Sequence, residues 1–135
     1  MEIRIYYEDT DCGGIVYYAN YLKYFERART EYLEARGYSV AALMAEGIVF
    51  VVVHAEVDYC SPARYGETLM VETVVSDLSR ASLTFSHVVR ERASGRVIVE
   101  GSARLAVTDS SGKVKRLDKA IVVALESGSG RRSDG

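Results

Sequence analysis

The sequence predicts an α+β domain in which one antiparallel sheet of about five strands wraps around one long central helix. Three observations predict it: an early stretch with apolar residues at helical spacing, a later switch to two-residue alternation, and connectors too short for helical crossovers. With 135 residues, 48% of them hydrophobic, the chain has the length of one domain with a real core, and a chain of this size gains by oligomerising.

Residues 2 to 8, EIRIYYE, alternate as a short strand, and the acidic and glycine residues from Asp9 to Gly14 then favour a turn. From about Tyr18 to Arg36, Tyr21, Phe25, Ala28 and Tyr32 recur on one helical face, flanked by Leu22 and Leu33. Gly37 stops this helix, and Ser39 is placed to cap a second, short one through about Glu46. Ala55, Val57 and Tyr59 then alternate with His54, Glu56 and Asp58, as in a strand with one buried face, which Ser61 and Pro62 end. Three more strands carry Leu69, Val71, Thr73 and Val75; then Ala81, Leu83, Phe85 and Val89; then Val97, Val99, Ala103, Leu105 and Val107. The links at 65–67, 78–80 and 93–95 are short, as in antiparallel hairpins. The domain is expected to span residues 1–126, with 127–135, SGSGRRSDG, as a disordered tail.

The net charge of −2 gives no basic surplus for nucleic acid or an anionic membrane. The early charges exclude a signal peptide of ordinary design, and no segment has the length of a membrane span, so a cytoplasmic protein is expected. Cys12 and Cys60 stand far apart without a paired spacing, and both are read as reduced thiols rather than zinc ligands or disulfide partners.

Chemistry concentrates between Tyr6 and Leu33, YYEDTDCGGIVYYANYLKYFERARTEYL, where Glu8, Asp9 and Asp11 precede two glycines and a helix start. Gly13 and Gly14 permit unusual backbone angles and close approach of a ligand, and a helix N-terminus offers unpaired N–H groups with partial positive charge. A carbonyl gaining negative charge is stabilised there. A nearby carboxylate acts on its carbon as nucleophile, or as a base on water, which together are the parts of acyl transfer. An acidic turn that only caps a helix is the competing interpretation.

The same stretch resembles the signature of the 4-hydroxybenzoyl-CoA thioesterase family of hotdog proteins, on Asp11, Gly14, Ile15, Val16, Tyr17, Asn20 and Tyr21. With ALMAEGIVFVV and SPARYGETL following in order, the layout is similar to the Tol-Pal-associated acyl-CoA thioesterases of that family, to about Leu125. The resemblance implies a hotdog fold, hydrolysis of a short-chain aliphatic or aromatic acyl-CoA without metal or other cofactor, and a homodimer or homotetramer with sites between subunits. It implies Asp11 as the catalytic carboxylate, the backbone N–H of Tyr18 as the group polarising the thioester carbonyl, and Gly14 and Arg80 at the substrate. Arg80 lies in the hairpin where related enzymes carry basic residues that meet the nucleotide. Tol-Pal-associated members commonly have His where this chain has Tyr18, which removes any imidazole from proton transfer at that position.

Glu8 and Asp9 rank below Asp11 and read as turn residues. His54 and His87 lack the neighbours of a triad or a metal site and read as structural. Cys12 has no base to activate it, and Lys113, Lys115 and Arg116 read as soluble surface. A non-catalytic acyl-CoA-binding module and a dehydratase on the same fold are the rival functions; the absence of His between Asp11 and Arg36 weighs against the second.

Overall fold

The computed structural model describes residues 1–11 and 13–133, so Cys12 lies outside the described residues. The elements run β1 (Glu2–Arg4), a 3₁₀ turn (Tyr7–Asp9), α1 (Asn20–Ala35), α2 (Val40–Ala45), β2 (Val49–Tyr59), β3 (Thr68–Leu78), β4 (Ser82–Glu91), β5 (Val97–Thr108) and α3 (Lys119–Ser133). The strands form one antiparallel sheet in the order β1-β3-β4-β5-β2. Two of the three expected hairpins are present, β3 with β4 and β4 with β5; the link at 65–67 is not one, because β2 pairs with β5 and β3 with β1, so the chain crosses to the other side of the sheet there.

The long helix buries the predicted face: Tyr21, Phe25, Ala28 and Tyr32 are all core residues, joined by Tyr24 and Leu33, whereas Leu22 is exposed. Its end is set by Gly37 at φ 89°, with the Tyr38 N–H donating back to the Leu33 carbonyl at 3.0 Å. Ser39 caps α2 as expected, its side chain accepting from the Ala42 N–H.

The core divides along α1. Its first half packs with Ile3, Ile5, Leu69, Val71, Val89 and Val99, and its second half with Val75, Leu83, Phe85, Leu105 and the α3 region. Between the two, Thr73, His87 and Gly101 form one row across β3, β4 and β5. The Phe25 ring stacks on His87 at 4.4 Å between centroids and covers Gly101. A Cβ at position 101 meets Phe25 Cε2 at 2.7 Å and the Glu56 carbonyl oxygen at 2.9 Å, one of them backbone. Gly101→Ala is therefore expected to lose about 1–3 kcal/mol of stability by overpacking, readable as a lowered urea midpoint with an unchanged slope.

Three further expectations change. The first strand stops at Arg4, because the chain turns into the 3₁₀ segment at Tyr7, although Ile5 still exchanges backbone hydrogen bonds with Gly66 and Glu67. Strand β2 has the expected phase, since Ala55 and Tyr59 lie opposite the buried Ala103 and Val99, but both are exposed and only Val57 is half-buried. The cause is position: β2 is the edge strand of the sheet. Finally, α3 was not foreseen. Leu117, Ile121 and Leu125 are buried in one cluster with Tyr32 and Leu33 of α1 and Val75 of β3, and the Tyr32 hydroxyl donates to the Leu125 carbonyl at 3.1 Å. The helical backbone continues through Ser133, into the segment expected as a tail, as a helix does once a packed turn has nucleated it; residues 134–135 lie outside the described residues.

Candidate active site

The segment from Tyr6 to Ala19 is tied at several points. The Asp9 side chain accepts from the Tyr6 N–H at 2.9 Å, and its carbonyl accepts from Asn20 Nδ2 at 3.0 Å and the Tyr17 N–H at 3.3 Å. Asp9 is thus an anchor for the start of α1. The Val16 N–H donates to the Ala63 carbonyl at 2.9 Å, and Ile15 bridges Arg64, which holds the turn against the link from β2 to β3.

Within that frame Asp11 is fixed by its own turn. Its N–H donates to the Ile15 carbonyl at 2.9 Å, its carbonyl accepts from the Gly14 N–H at 3.0 Å, and Oδ1 accepts from the N–H groups of Gly13 (2.8 Å) and Ile15 (3.4 Å). Gly14 makes this turn possible at φ 76°. The other oxygen, Oδ2, has no hydrogen-bond partner among the described residues.

Helix α1 begins without a side-chain cap. The Tyr17 carbonyl accepts from the Asn20 N–H at 3.0 Å. Because a trans peptide directs its N–H opposite to its carbonyl, the Tyr18 N–H of the same unit points out of the helix start, where it meets no acceptor among the described residues. Helix-end polarity adds partial positive charge there.

Asp11 and Tyr18 line one groove of about 790 Å³, between the 11–18 turn with Tyr21 on one side and residues 59–62 on the other. Its surface is mostly aromatic and aliphatic. Burial pushes the Tyr21 phenol up to about 12, so it stays protonated. Arg96 braces the opposite wall, donating to Ser61 Oγ (3.2 Å), the Pro62 carbonyl (3.1 Å) and both oxygens of Glu67 (3.1 Å).

The other anticipated site residues are not in this groove. Gly14 shapes the turn behind Asp11 rather than lining the cavity. Arg80 lies beyond the far half of the core, where its Nε donates to the Leu117 carbonyl at 2.9 Å and its own carbonyl accepts from the Leu117 N–H at 2.7 Å. Arg80 therefore clamps the chain ahead of α3. The wall at residues 59–62, from Tyr59 and Cys60 to Ser61 and Pro62, was not placed in the site by sequence reasoning; Cys60 is an exposed free thiol.

Neither histidine joins Asp11. His54 is exposed and pairs with Glu56 at 3.5 Å. His87 is buried, shares a hydrogen bond of 3.0 Å between Nδ1 and Thr73 Oγ1, and has no partner at Nε2 among the described residues. Burial, with Arg29 nearby, lowers its pKa to about 3, so the imidazole is neutral. Among the described residues no three His, Cys, Asp or Glu side chains are placed to hold a metal ion, and no helix is long and apolar enough to cross a membrane.

The family model described as the thioesterase-like superfamily matches residues 6–125. The acyl-CoA thioester hydrolase YbgC of Escherichia coli is 39% identical over 121 residues, 89% of this chain and 90% of the relative. Among solved structures, a hypothetical protein from Thermus thermophilus superposes with a TM-score of 0.87 at 30% identity, covering 95% of this chain and 97% of the other. A DHNA-CoA thioesterase from Staphylococcus aureus superposes with a TM-score of 0.89 at 28% identity, over 100% of this chain and 93% of its own. With one antiparallel sheet curled around α1 and a family match across nearly its whole length, the chain belongs to the thioesterase-like superfamily and has the hotdog fold.

Proposed function

We propose that this protein hydrolyses the thioester of a short-chain aliphatic or aromatic acyl-CoA to free acid and coenzyme A. The observation that carries this reading is the pairing in one groove of a carboxylate with a free oxygen, Asp11, and an unpaired helix-start N–H, Tyr18. The thioester carbonyl oxygen sits on the Tyr18 N–H, where the negative charge of the tetrahedral intermediate develops. Asp11 either attacks the carbonyl carbon, giving an anhydride that water opens, or takes a proton from the attacking water. Both routes break the C–S bond and release coenzyme A as a thiolate, a good leaving group because thiols ionise near pH 8.5. The chemistry asks for no metal or other cofactor.

An assembly is proposed from the character of β2. Its outer edge has no strand partner among the described residues, and Val51, Val52 and Val53 stay 41%, 47% and 55% exposed. An edge of this length and character is suited to a second strand, so a homodimer with continuous sheet, or a pair of such dimers, is the proposed form. Within one protomer Arg80 is anchored far from the groove, so a role at the nucleotide requires that it come from another subunit. A cytoplasmic location agrees with a coenzyme A substrate and with an exposed free thiol at Cys60.

Free-thiol release from a panel of short aliphatic, long aliphatic and aromatic acyl-CoAs tests the activity. Turnover of any of them supports it and identifies the acyl class. Tight binding of the esters with no thiol released would leave a non-catalytic acyl-CoA-binding module instead.

A further inference from the structure

The groove has two walls joined at one end by backbone, through the Val16 N–H and the Ala63 carbonyl. At β2 they are joined by a side chain. Tyr59, the last residue of that strand, meets the Tyr18 ring edge-on at 5.7 Å and the Tyr21 ring at 5.9 Å, and its hydroxyl donates to the Tyr18 carbonyl at 3.5 Å. Tyr21 is 3% exposed and is backed by Tyr24, whereas Tyr59 remains 52% exposed. Tyr59 is therefore seated against a fixed ring while its own ring lines the groove.

Tyr18 is also the residue whose N–H is free at the helix start. A thioester with its carbonyl on that N–H and its carbon at Asp11 brings its acyl group alongside the ring that packs on Tyr18. Resting on the thioesterase reading above, we propose that Tyr59 is a specificity-determining residue, an end wall whose ring limits the length of acyl chain the groove takes. Excluding a methylene from an apolar pocket changes selectivity by about tenfold or more, so one aromatic ring is enough to separate short from medium chains.

The test compares kcat/KM for butyryl-CoA and decanoyl-CoA in the native protein, Tyr59→Ala and Tyr59→Phe. The ratio of decanoyl to butyryl is expected to rise about tenfold in Tyr59→Ala and to stay within about twofold of native in Tyr59→Phe, which keeps the ring. Tyr59→Leu, apolar and shorter, serves in place of Tyr59→Ala if that variant does not fold, and is expected to raise the ratio in the same direction. An unchanged ratio in the ring-less variants, with butyryl-CoA still hydrolysed, overturns the inference and leaves the thioesterase reading intact. Absence of thiol release from either ester by the native protein overturns both.

Discussion

Asp11→Asn is expected to lower kcat by about three orders of magnitude on whichever acyl-CoA the native protein turns over best, with KM little changed. The substitution is chosen for what it keeps. An amide oxygen still accepts from the Gly13 and Ile15 N–H groups that hold Oδ1, so the turn survives while the negative charge and the basic oxygen are lost. A thousandfold loss corresponds to about 4 kcal/mol of transition-state stabilisation. The residual rate over water then measures what the Tyr18 N–H and the helix end supply without the carboxylate. Glu8→Gln is the matched control, because Glu8 is exposed in the adjoining 3₁₀ turn and lines no part of the groove; its activity is expected to stay native. Comparable losses in both variants would place the chemistry elsewhere in the segment.

The second large effect is on acid stability and arises from His87. Its pKa in the folded protein, about 3, lies below the 6.5 of an unfolded chain, so the unfolded state binds a proton more readily. Stability is then complete above the unfolded value and declines as pH falls from there toward the folded value. Linkage gives a loss of about 2 kcal/mol between pH 7 and pH 5, or roughly 8 °C in melting temperature for a domain of this size. That window lies above the range in which Glu91 and Asp109 act. Their carboxyls are held below their usual range, Glu91 first by the Ala93 N–H and Asp109 first by the Ser111 hydroxyl, and they lose their contribution only at lower pH. Melting curves from pH 7 to pH 5 check the prediction, with His87→Asn expected to melt lower throughout but with a flatter pH profile. A native melting temperature constant across that range would show that the imidazole takes up its proton without disturbing the stack on Phe25.

How much of this was legible in the sequence depends on the distance over which each feature is determined. The α1 face, the Gly37 stop, the Ser39 cap and the hairpins at 78–80 and 93–95 are local patterns, and they appear where the spacing puts them; the short link at 65–67 joins two strands that pair elsewhere, which local spacing does not report. That Asp11 and Tyr18 share a site came from the family resemblance rather than from spacing; both line one groove, and the roles given to them are the proposal above. The exposure of β2 was not legible, since alternation reports which side a residue faces and not whether anything covers it. Helix α3 left a signal in the four-residue spacing of Leu117, just ahead of it, with Ile121 and Leu125, and those residues needed the distant core residues of α1 and β3 to pack with. Arg80 and Tyr59 are products of long-range folding: one is drawn to the Leu117 carbonyl, 37 residues away, and the other to Tyr18, 41 residues away.

The compactness of the Asp11 turn has a dynamic consequence. All the anchors of its carboxylate lie between residues 11 and 15, and among the described residues the backbone of 11–16 bonds the neighbouring link chiefly through Gly14, Ile15 and Val16. The sheet and α1 keep their own hydrogen bonds if that short segment detaches, so opening it takes less free energy than global unfolding. Catalysis is accordingly expected to fail on warming before circular dichroism registers melting, with the amides of Gly13 to Val16 exchanging with deuterium well ahead of those in β4. The protein then has two thermal limits, and the lower one belongs to the Asp11 turn.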